Sequence, residues 1–398
     1  MVEYPKDWEE SNLGKIATIN MCKRIFSYQT FKNGKIPFYK IGTFGKQADA
    51  YISKDLFKRY KNIYPYPTKG DSLISASGSI GKIVLYNGEK SYYQDSNIVW
   101  LKTNHGKIDK LFLYFYLLSF PWEVTEGTTI KRLYNNIILE TKIYLPPLEE
   151  QRAIAETLMT FDRHIENLER LIEKKKMVRD GAVEDLMTGE TRLEGFEDEW
   201  EKVEFNDVIV PKARIGWQGL KKDEYLQSGY SYLISGTDFN QGTISFSKIS
   251  CVTKERYDLD VNIQVNSGDV LVTKDGTIGK VAIVPSIDRK ATLNSGVFVF
   301  KTNKKLTRNF LYWILRSSIF EKFIDNLSAG STIKHLYQKD LKKFSFYIPK
   351  DMNEQKAISS ILKSIDDDIQ NLKKEKEKIE KIKAGAMDDL LTGRVRLI

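Results

Sequence analysis

Gly181-Ala-Val-Glu-Asp-Leu-Met-Thr-Gly-Glu-Thr-Arg-Leu193 returns as Gly385-Ala-Met-Asp-Asp-Leu-Leu-Thr-Gly-Arg-Val-Arg-Leu397, with eight of thirteen positions identical. A recurrence at about half the length of a 398-residue chain marks an internal duplication, and other segments keep the same frame. Gly127-Thr-Thr-Ile-Lys-Arg-Leu-Tyr134 is echoed by Gly330-Ser-Thr-Ile-Lys-His-Leu-Tyr337, and Glu150-Gln-Arg-Ala-Ile154 by Glu354-Gln-Lys-Ala-Ile358. Gly70-Asp-Ser-Leu73 and Gly78-Ser-Ile-Gly-Lys82 match Gly268-Asp-Val-Leu271 and Gly276-Thr-Ile-Gly-Lys280. Each half opens near a tryptophan in an acidic run, Trp8 and Trp200. After Thr18 and after Val208 the halves share little beyond hydrophobic rhythm, so a common frame carries unlike inserts.

Two textures alternate within each half. From Trp8 to Leu145, short apolar runs cut by Gly, Asn, Pro and Ser read as strands and turns, with one helix predicted over 107–119 and its counterpart over 305–317. After Pro146-Pro147, and again after Pro349, the pattern becomes one long helix. Ile154, Leu158, Phe161, Ile165, Leu168 and Ile172 follow alternating four- and three-residue spacing, as do Ile358, Leu362, Ile365, Ile369 and Leu372. That is the seam of a coiled coil. The seams then part, with Lys175 and Arg179 in the first copy against Ile379 and Lys383 in the second, before both return to leucine at Leu186 and Leu390. The expected fold class is α+β: two pseudo-repeated α/β domains separated by two long helices that form an antiparallel coiled coil. The expected boundaries are 1–147 and 191–349 for the domains and 148–190 and 350–398 for the helical segments. A helix over 149–187 would extend about 58 Å, enough to act as a spacer.

Composition limits the chemistry. The 62 Lys and Arg against 53 Asp and Glu give a net charge of +9, which permits a nucleic-acid partner without requiring one. Two cysteines, Cys22 and Cys251, make no disulfide framework, and with three histidines no Cys/His cluster has zinc spacing. A reducing cytoplasm and a soluble chain without secretory signal are expected, since the most apolar stretch, 111–120, falls well short of the roughly 20 residues that span a bilayer. The Gly-x-x-Gly-Lys pair is not a Walker loop: Ala76 and Lys274 stand where its first glycine belongs, and Ile83 and Val281 follow the lysines. Those glycines are expected to make a tight turn between strands, with Lys82 and Lys280 free to reach a phosphate. The Asn/Asp-Pro-Pro-Tyr/Phe motif of methyl transfer is absent, because Pro146-Pro147 lies between leucines. Asp366-Asp-Asp368 reads as a solvated helix face. No catalysis by this chain is expected.

What remains are duplicated basic and polar loops. Thr128, Thr129, Lys131, Arg132 and Tyr134, with Ser331, Thr332, Lys334, His335 and Tyr337, put hydroxyls, cations and aromatics in one turn per half. Such a mix suits phosphate oxygens and base edges; equally, it suits a structural turn whose Leu133 or Leu336 and tyrosine plug the core. Ser77, Ser79 and Lys82, with Lys274, Thr277 and Lys280, join the candidates from the glycine turns. Lys40, Thr43 and Lys46 and, in the second half, Thr237 and Asn240 complete the set of candidate DNA contacts.

Pro146-Pro-Leu-Glu-Glu-Gln151 opening a long helix that ends in Leu186-Met-Thr-Gly189, repeated as Glu354-Gln355 and Leu390-Leu-Thr-Gly393, resembles the specificity subunit of type I restriction-modification systems. The resemblance covers the whole chain, with one departure: Lys350-Asp-Met-Asn353 stands where the first copy has only Pro147-Leu-Glu149. It implies a non-catalytic DNA-recognition chain for phage defence, in which each target recognition domain binds one half of a bipartite, asymmetric double-stranded site. The paired helices would set the gap. Two methyltransferase subunits carrying S-adenosylmethionine would dock on it, and restriction subunits using ATP and Mg would join them. The resemblance implies no cofactor or metal in this chain and no membrane partner.

Overall fold

A computed structural model describes residues 4–103, 106–122, 132–214, 219–328 and 335–397. The chain divides into two compact units, 1–169 with 374–398, and 170–373.

In the first unit, Glu9–Asn12 pairs antiparallel with Lys142–Leu145, Glu9 opposite Leu145, and so ties the two ends of the domain together. Between them lies an antiparallel four-stranded sheet in the order Ala17–Met21, Ile98–Thr103, Ser72–Ser75, Ile83–Leu85. A second sheet has the order Thr30–Phe31, Tyr51–Ile52, Ile36–Tyr39, Tyr92–Tyr93, its last pair parallel. Helix Lys110–Ser119, three residues shorter at its start than the sequence suggested, begins where Asp109 accepts from the backbone N–H groups of Leu111 and Phe112. Its Phe112 and Phe115 are buried in one core with Ile74, Val99 and Leu101 of the first sheet.

The second unit repeats this plan. Glu201–Glu204 pairs with Ser345–Ile348, and the first sheet runs Ile209–Ala213, Val297–Thr302, Val270–Thr273, Val281–Ile283. In the second sheet Ser231–Ile234 again lies between an antiparallel neighbour, Ser250–Val252, and a parallel one, Lys290–Leu293. The copies differ at the edges: the first adds Thr30–Phe31 beside Tyr51–Ile52, whereas the second adds Gln264–Val265 beside Lys290–Leu293. The helix expected over 305–317 is Arg308–Ile314 followed by a separate helix, Ser318–Ser328.

The long helices are Leu148–Thr188 and Met352–Leu391. Each starts two residues before its buried glutamate, so the extra residue in the second copy is taken up ahead of the helix. In the first unit Ile154 and Leu158 share a core with Leu390 and Leu391; in the second, Ile358 and Leu362 share one with Val183, Leu186 and Met187. Leu168, Ile172 and Ile369 are buried as the heptad requires, while Phe161, Ile165, Ile365 and Leu372 are half-buried. Ion pairs confirm the direction. Asp162 meets Lys383 and Glu169 meets Lys376 in one unit, and Lys175 meets Asp368 and Arg179 meets Asp366 in the other, so numbering rises along one helix as it falls along its partner. The packing is antiparallel in both units, and the cations that interrupt the seam are matched by aspartates. Asp366 is therefore no solvated residue: it accepts from Arg179 at 3.0 Å and Arg316 at 2.9 Å and is 19% exposed, a correction to the reading of 366–368 as one solvated face.

The repeated Glu-Gln pairs hold each helix start to its domain. Gln151 accepts from Asp109 N–H at 2.8 Å and donates to the carbonyls of Lys107 and Pro146; Gln355 does the same with Thr307, Lys305 and Pro349. Beside them, buried Glu150 receives both Nε and Nη2 of Arg396, and buried Glu354 receives both from Arg192. Hydrogen bonds from Arg396 also hold the Asp7 carboxyl below its usual range. Each clasping arginine follows a Thr-Gly whose glycine takes a positive φ, 75° at Gly189 and 72° at Gly393, ending the helix against Trp200 and Trp8 respectively.

Candidate nucleic-acid interface

Strand pairing brings the scattered candidates of the first unit to one end of its first sheet. Ser75 ends one strand opposite Ile98, and Ile83 begins the next, so Ala76–Lys82 forms the connecting hairpin. Ser75 Oγ donates to Ser79 O and accepts from Lys82 N at 2.9 Å. Gly78 and Gly81 take φ of 65° and 74°, which the tight turn demands and other residues resist. Thr273 Oγ1, donating to Thr277 O and accepting from Lys280 N at 2.9 Å, builds the same hairpin in the second unit, with Gly276 and Gly279 at 70° and 81°. The Gly-x-x-Gly-Lys motif is thus a turn between strands.

The residues that follow the Thr-Ile-Lys motif, 132–134 and 335–337, meet that hairpin in both units. Leu133 N donates to Ala76 O at 2.9 Å and Leu336 N to Lys274 O at 2.8 Å, while Ser77 bridges Arg132 and Asp275 bridges His335. Leu133 and Leu336 are buried but Tyr134 and Tyr337 are about half exposed, so the leucines plug the core and the tyrosines do not. Thr128, Thr129, Lys131, Ser331, Thr332 and Lys334 lie outside the described residues.

A third loop completes the cluster. Strand Ile36–Tyr39 runs into a turn in which Lys40 N donates to Thr43 Oγ1, and Ile41 N donates to Gln94 Oε1 at 2.9 Å. Lys82 Nζ donates to the Phe44 carbonyl at 2.7 Å. This corrects the expectation that Lys82 is free: it straps the hairpin to the 40–46 turn. Lys40 pairs with Asp49 at 2.9 Å, whereas Lys46 and Ser79 are exposed. In the second unit the corresponding turn has Ser235 N donating to Asp238 Oδ2 at 2.8 Å, and burial raises that carboxyl above the ordinary carboxylate value. Thr237, Thr277 and Lys280 are exposed there, Lys274 Nζ lies 5.9 Å from the centre of the Phe298 ring, and Asn240 sits in the hairpin that follows the turn.

Sequence reasoning missed the segment just before the central strand. Ser96 has φ of 53°, rare for a residue with a side chain, and its carbonyl accepts from Arg132 Nη2 at 2.6 Å. Asn97 Oδ1 accepts from Ser77 Oγ at 2.9 Å, and Asn294 Nδ2 donates to Ser235 Oγ at 3.0 Å. Asp-Ser-Asn at 95–97 and Asn-Ser-Gly at 294–296 carried a turn signal, but nothing local tied them to the other loops. Among the described residues no group of three or more His, Cys, Asp or Glu is placed to hold a metal ion, and no helix is long and apolar enough to cross a membrane.

The family model for the type I restriction modification DNA specificity domain matches twice, over residues 5–175 and 197–381. The MjaVIII specificity subunit of a type I restriction enzyme from Methanocaldococcus jannaschii is 30% identical over 417 residues, spanning 100% of this chain and 95% of that one. A chain described as a type I restriction enzyme specificity subunit from Haemophilus influenzae is 51% identical over 150 residues, 38% of this chain and 39% of that one. The crystal structure of a type I restriction-modification S subunit from M. genitalium shares the fold, with a TM-score of 0.63 at 17% identity over 98% of this chain and 97% of that one.

Proposed function

Because this chain belongs to the family of type I restriction-modification DNA specificity subunits, we propose that its two loop clusters each bind one half of a two-part, asymmetric double-stranded DNA site. The observation that carries this reading is the repeated convergence of three loops, 40–46, 76–82 and 132–134 in one domain and 235–240, 274–280 and 335–337 in the other, on the same end of equivalent sheets. Constant glycines and leucines hold the frame while polar residues at the tips differ, as expected of a chain that reads two unlike half-sites. The paired helices set the gap between the halves, and their outer faces dock the methyltransferase subunits, with restriction subunits completing the complex in the cytoplasm. S-adenosylmethionine, ATP and Mg belong to those partners, and this chain contributes recognition without catalysis.

Exchange of residues 8–145 for the matching segment of a relative, followed by sequencing of methylated bases in a host that also expresses the methyltransferase, tests the division of labour. Only one half of the methylated sequence should change; a change in both halves, or in neither, contradicts it. The assembled complex should also lose affinity steeply with salt. On the order of 6 to 10 phosphate contacts would cost about 10³ to 10⁵ between 50 and 200 mM, and a flat response would remove the basic loops from the interface.

A further inference from the structure

The two copies form an internal comparison in which the backbone is held constant. Where the hairpin meets residues 132–134 or 335–337, Gly78, Ile80, Gly81, Leu133 and Tyr134 are matched by Gly276, Ile278, Gly279, Leu336 and Tyr337, and both copies form the same backbone bridge. The two residues joined by that bridge differ between the domains, Ser77 with Arg132 in the first and Asp275 with His335 in the second; Ala76 beside them is matched by Lys274, while Ser79 and Thr277 both keep a hydroxyl. Groups that meet the sugar-phosphate backbone serve equally well in both halves of a site, because phosphates are alike at every step. Groups that meet base edges must differ when the half-sites differ.

We infer that the bridged pairs Ser77–Arg132 and Asp275–His335 are the base-reading positions of the two domains, an inference that rests on the DNA-recognition reading above. Their side chains are held ready for that task. Arg132 is braced by the Ser96 carbonyl, which the left-handed backbone at Ser96 turns into place, and Ser77 is braced by Asn97. A guanidinium braced at one nitrogen suits the paired N7 and O6 acceptors of guanine in the major groove. In the second domain Asp275 Oδ1 lies 2.6 Å from His335 Nδ1, and the pair is partly exposed. With Nδ1 engaged by Asp275, Nε2 is the ring atom left to meet a base edge. One frame thus presents a forked guanidinium to one half-site and an aspartate-held imidazole to the other.

The test grafts one pair onto the other frame. The full chain carrying Ser77→Asp and Arg132→His is expressed with its methyltransferase, and methylated bases are sequenced. One base pair of the half-site read by the first domain should change, with the other half and the gap kept; an unchanged motif methylated to the parental level overturns the inference. Should the graft yield no complex, Arg132→Lys keeps the charge and removes the forked geometry. The assembled complex is then titrated with its cognate duplex and with a scrambled duplex of equal length. Affinity for the cognate should fall by roughly 5- to 150-fold more than affinity for the scrambled duplex, the range for one two-pronged base contact. Equal losses on both duplexes would assign Arg132 to phosphate or to loop structure. Failure of the parental complex to discriminate the two duplexes would defeat the DNA-recognition reading itself, a result separable from either outcome for Arg132.

Discussion

Replacement of Arg192 by methionine isolates the contribution of one charge pair that locks a long helix to its domain. Arg192 Nε and Nη2 reach the two oxygens of Glu354 at 2.8 and 3.1 Å, and Trp200 Nε1 donates to the same carboxylate at 3.1 Å. Glu354 is 1% exposed and Arg192 is 29% exposed. Methionine keeps an unbranched aliphatic stem and removes the guanidinium, which also donates to the Asp198 carbonyl at 2.9 Å and lies 5.8 Å from the centre of the Trp200 ring, leaving a buried carboxylate with one indole donor. Breaking a fully buried pair costs about 3–5 kcal/mol; because Arg192 is nearly a third exposed, water can partly replace it, and about 2–3 kcal/mol is expected. For a unit of this size, 1 kcal/mol moves the melting temperature by about 2–4 °C, so the transition of the second unit should fall by roughly 4–12 °C. Scanning calorimetry of the full chain measures it. A cycle with Glu354→Gln separates pair from packing: the double variant should be less damaged than the two single variants together, by about 1 kcal/mol or more. A transition for Arg192→Met within about 1 °C of the parent, or strict additivity in the cycle, would refute the argument that this clasp holds the helix.

Leu168→Asp buries a carboxylate in the seam and should destabilise the first unit by more than about 3 kcal/mol, read as early loss of helical circular dichroism on heating; parental melting would remove Leu168 from the core. Four residues inserted after Ile172, with four in the facing stretch of the second helix, lengthen each helix by about 6 Å. The methylated sequence should keep both halves while the gap grows by close to two base pairs at roughly 3.4 Å each; a fixed gap would show that the helices are not the ruler. Cys22 is 2% exposed and burial pushes its thiol up to about 12, so alkylation of the folded chain at pH 8 should be negligible and become rapid in denaturant. Rapid labelling of the native protein would contradict the packing around Cys22.

The sequence alone determined the duplication, the alternation of strand-rich domains with long helices and the seam, because these signals are local. A heptad repeats within a few residues, and a Thr-Gly helix end announces itself where it stands. Ile154, Leu158, Leu168, Ile358 and Ile369 needed no partner to be recognised as apolar seam positions. Lys175 and Arg179 looked like flaws in that seam, since their aspartate partners lie almost 200 residues away and only antiparallel packing brings them together. Only the tertiary structure decided what the Glu-Gln motif does, because the value of Glu354 depends on burial and on an arginine 162 positions distant. Lys82 differs from Lys280 for the same reason: Phe44, not the shared motif, supplies the carbonyl that holds it. The candidate interface follows the same rule. Residues 40–46, 76–82, 96–97 and 132–134 meet because Ile98–Thr103 lies between Ala17–Met21 and Ser72–Ser75 in the sheet and Ile36–Tyr39 pairs with Tyr92–Tyr93. Backbone hydrogen bonding between distant strands carries no local signature, so the loops could be named from the sequence but joined only by the fold.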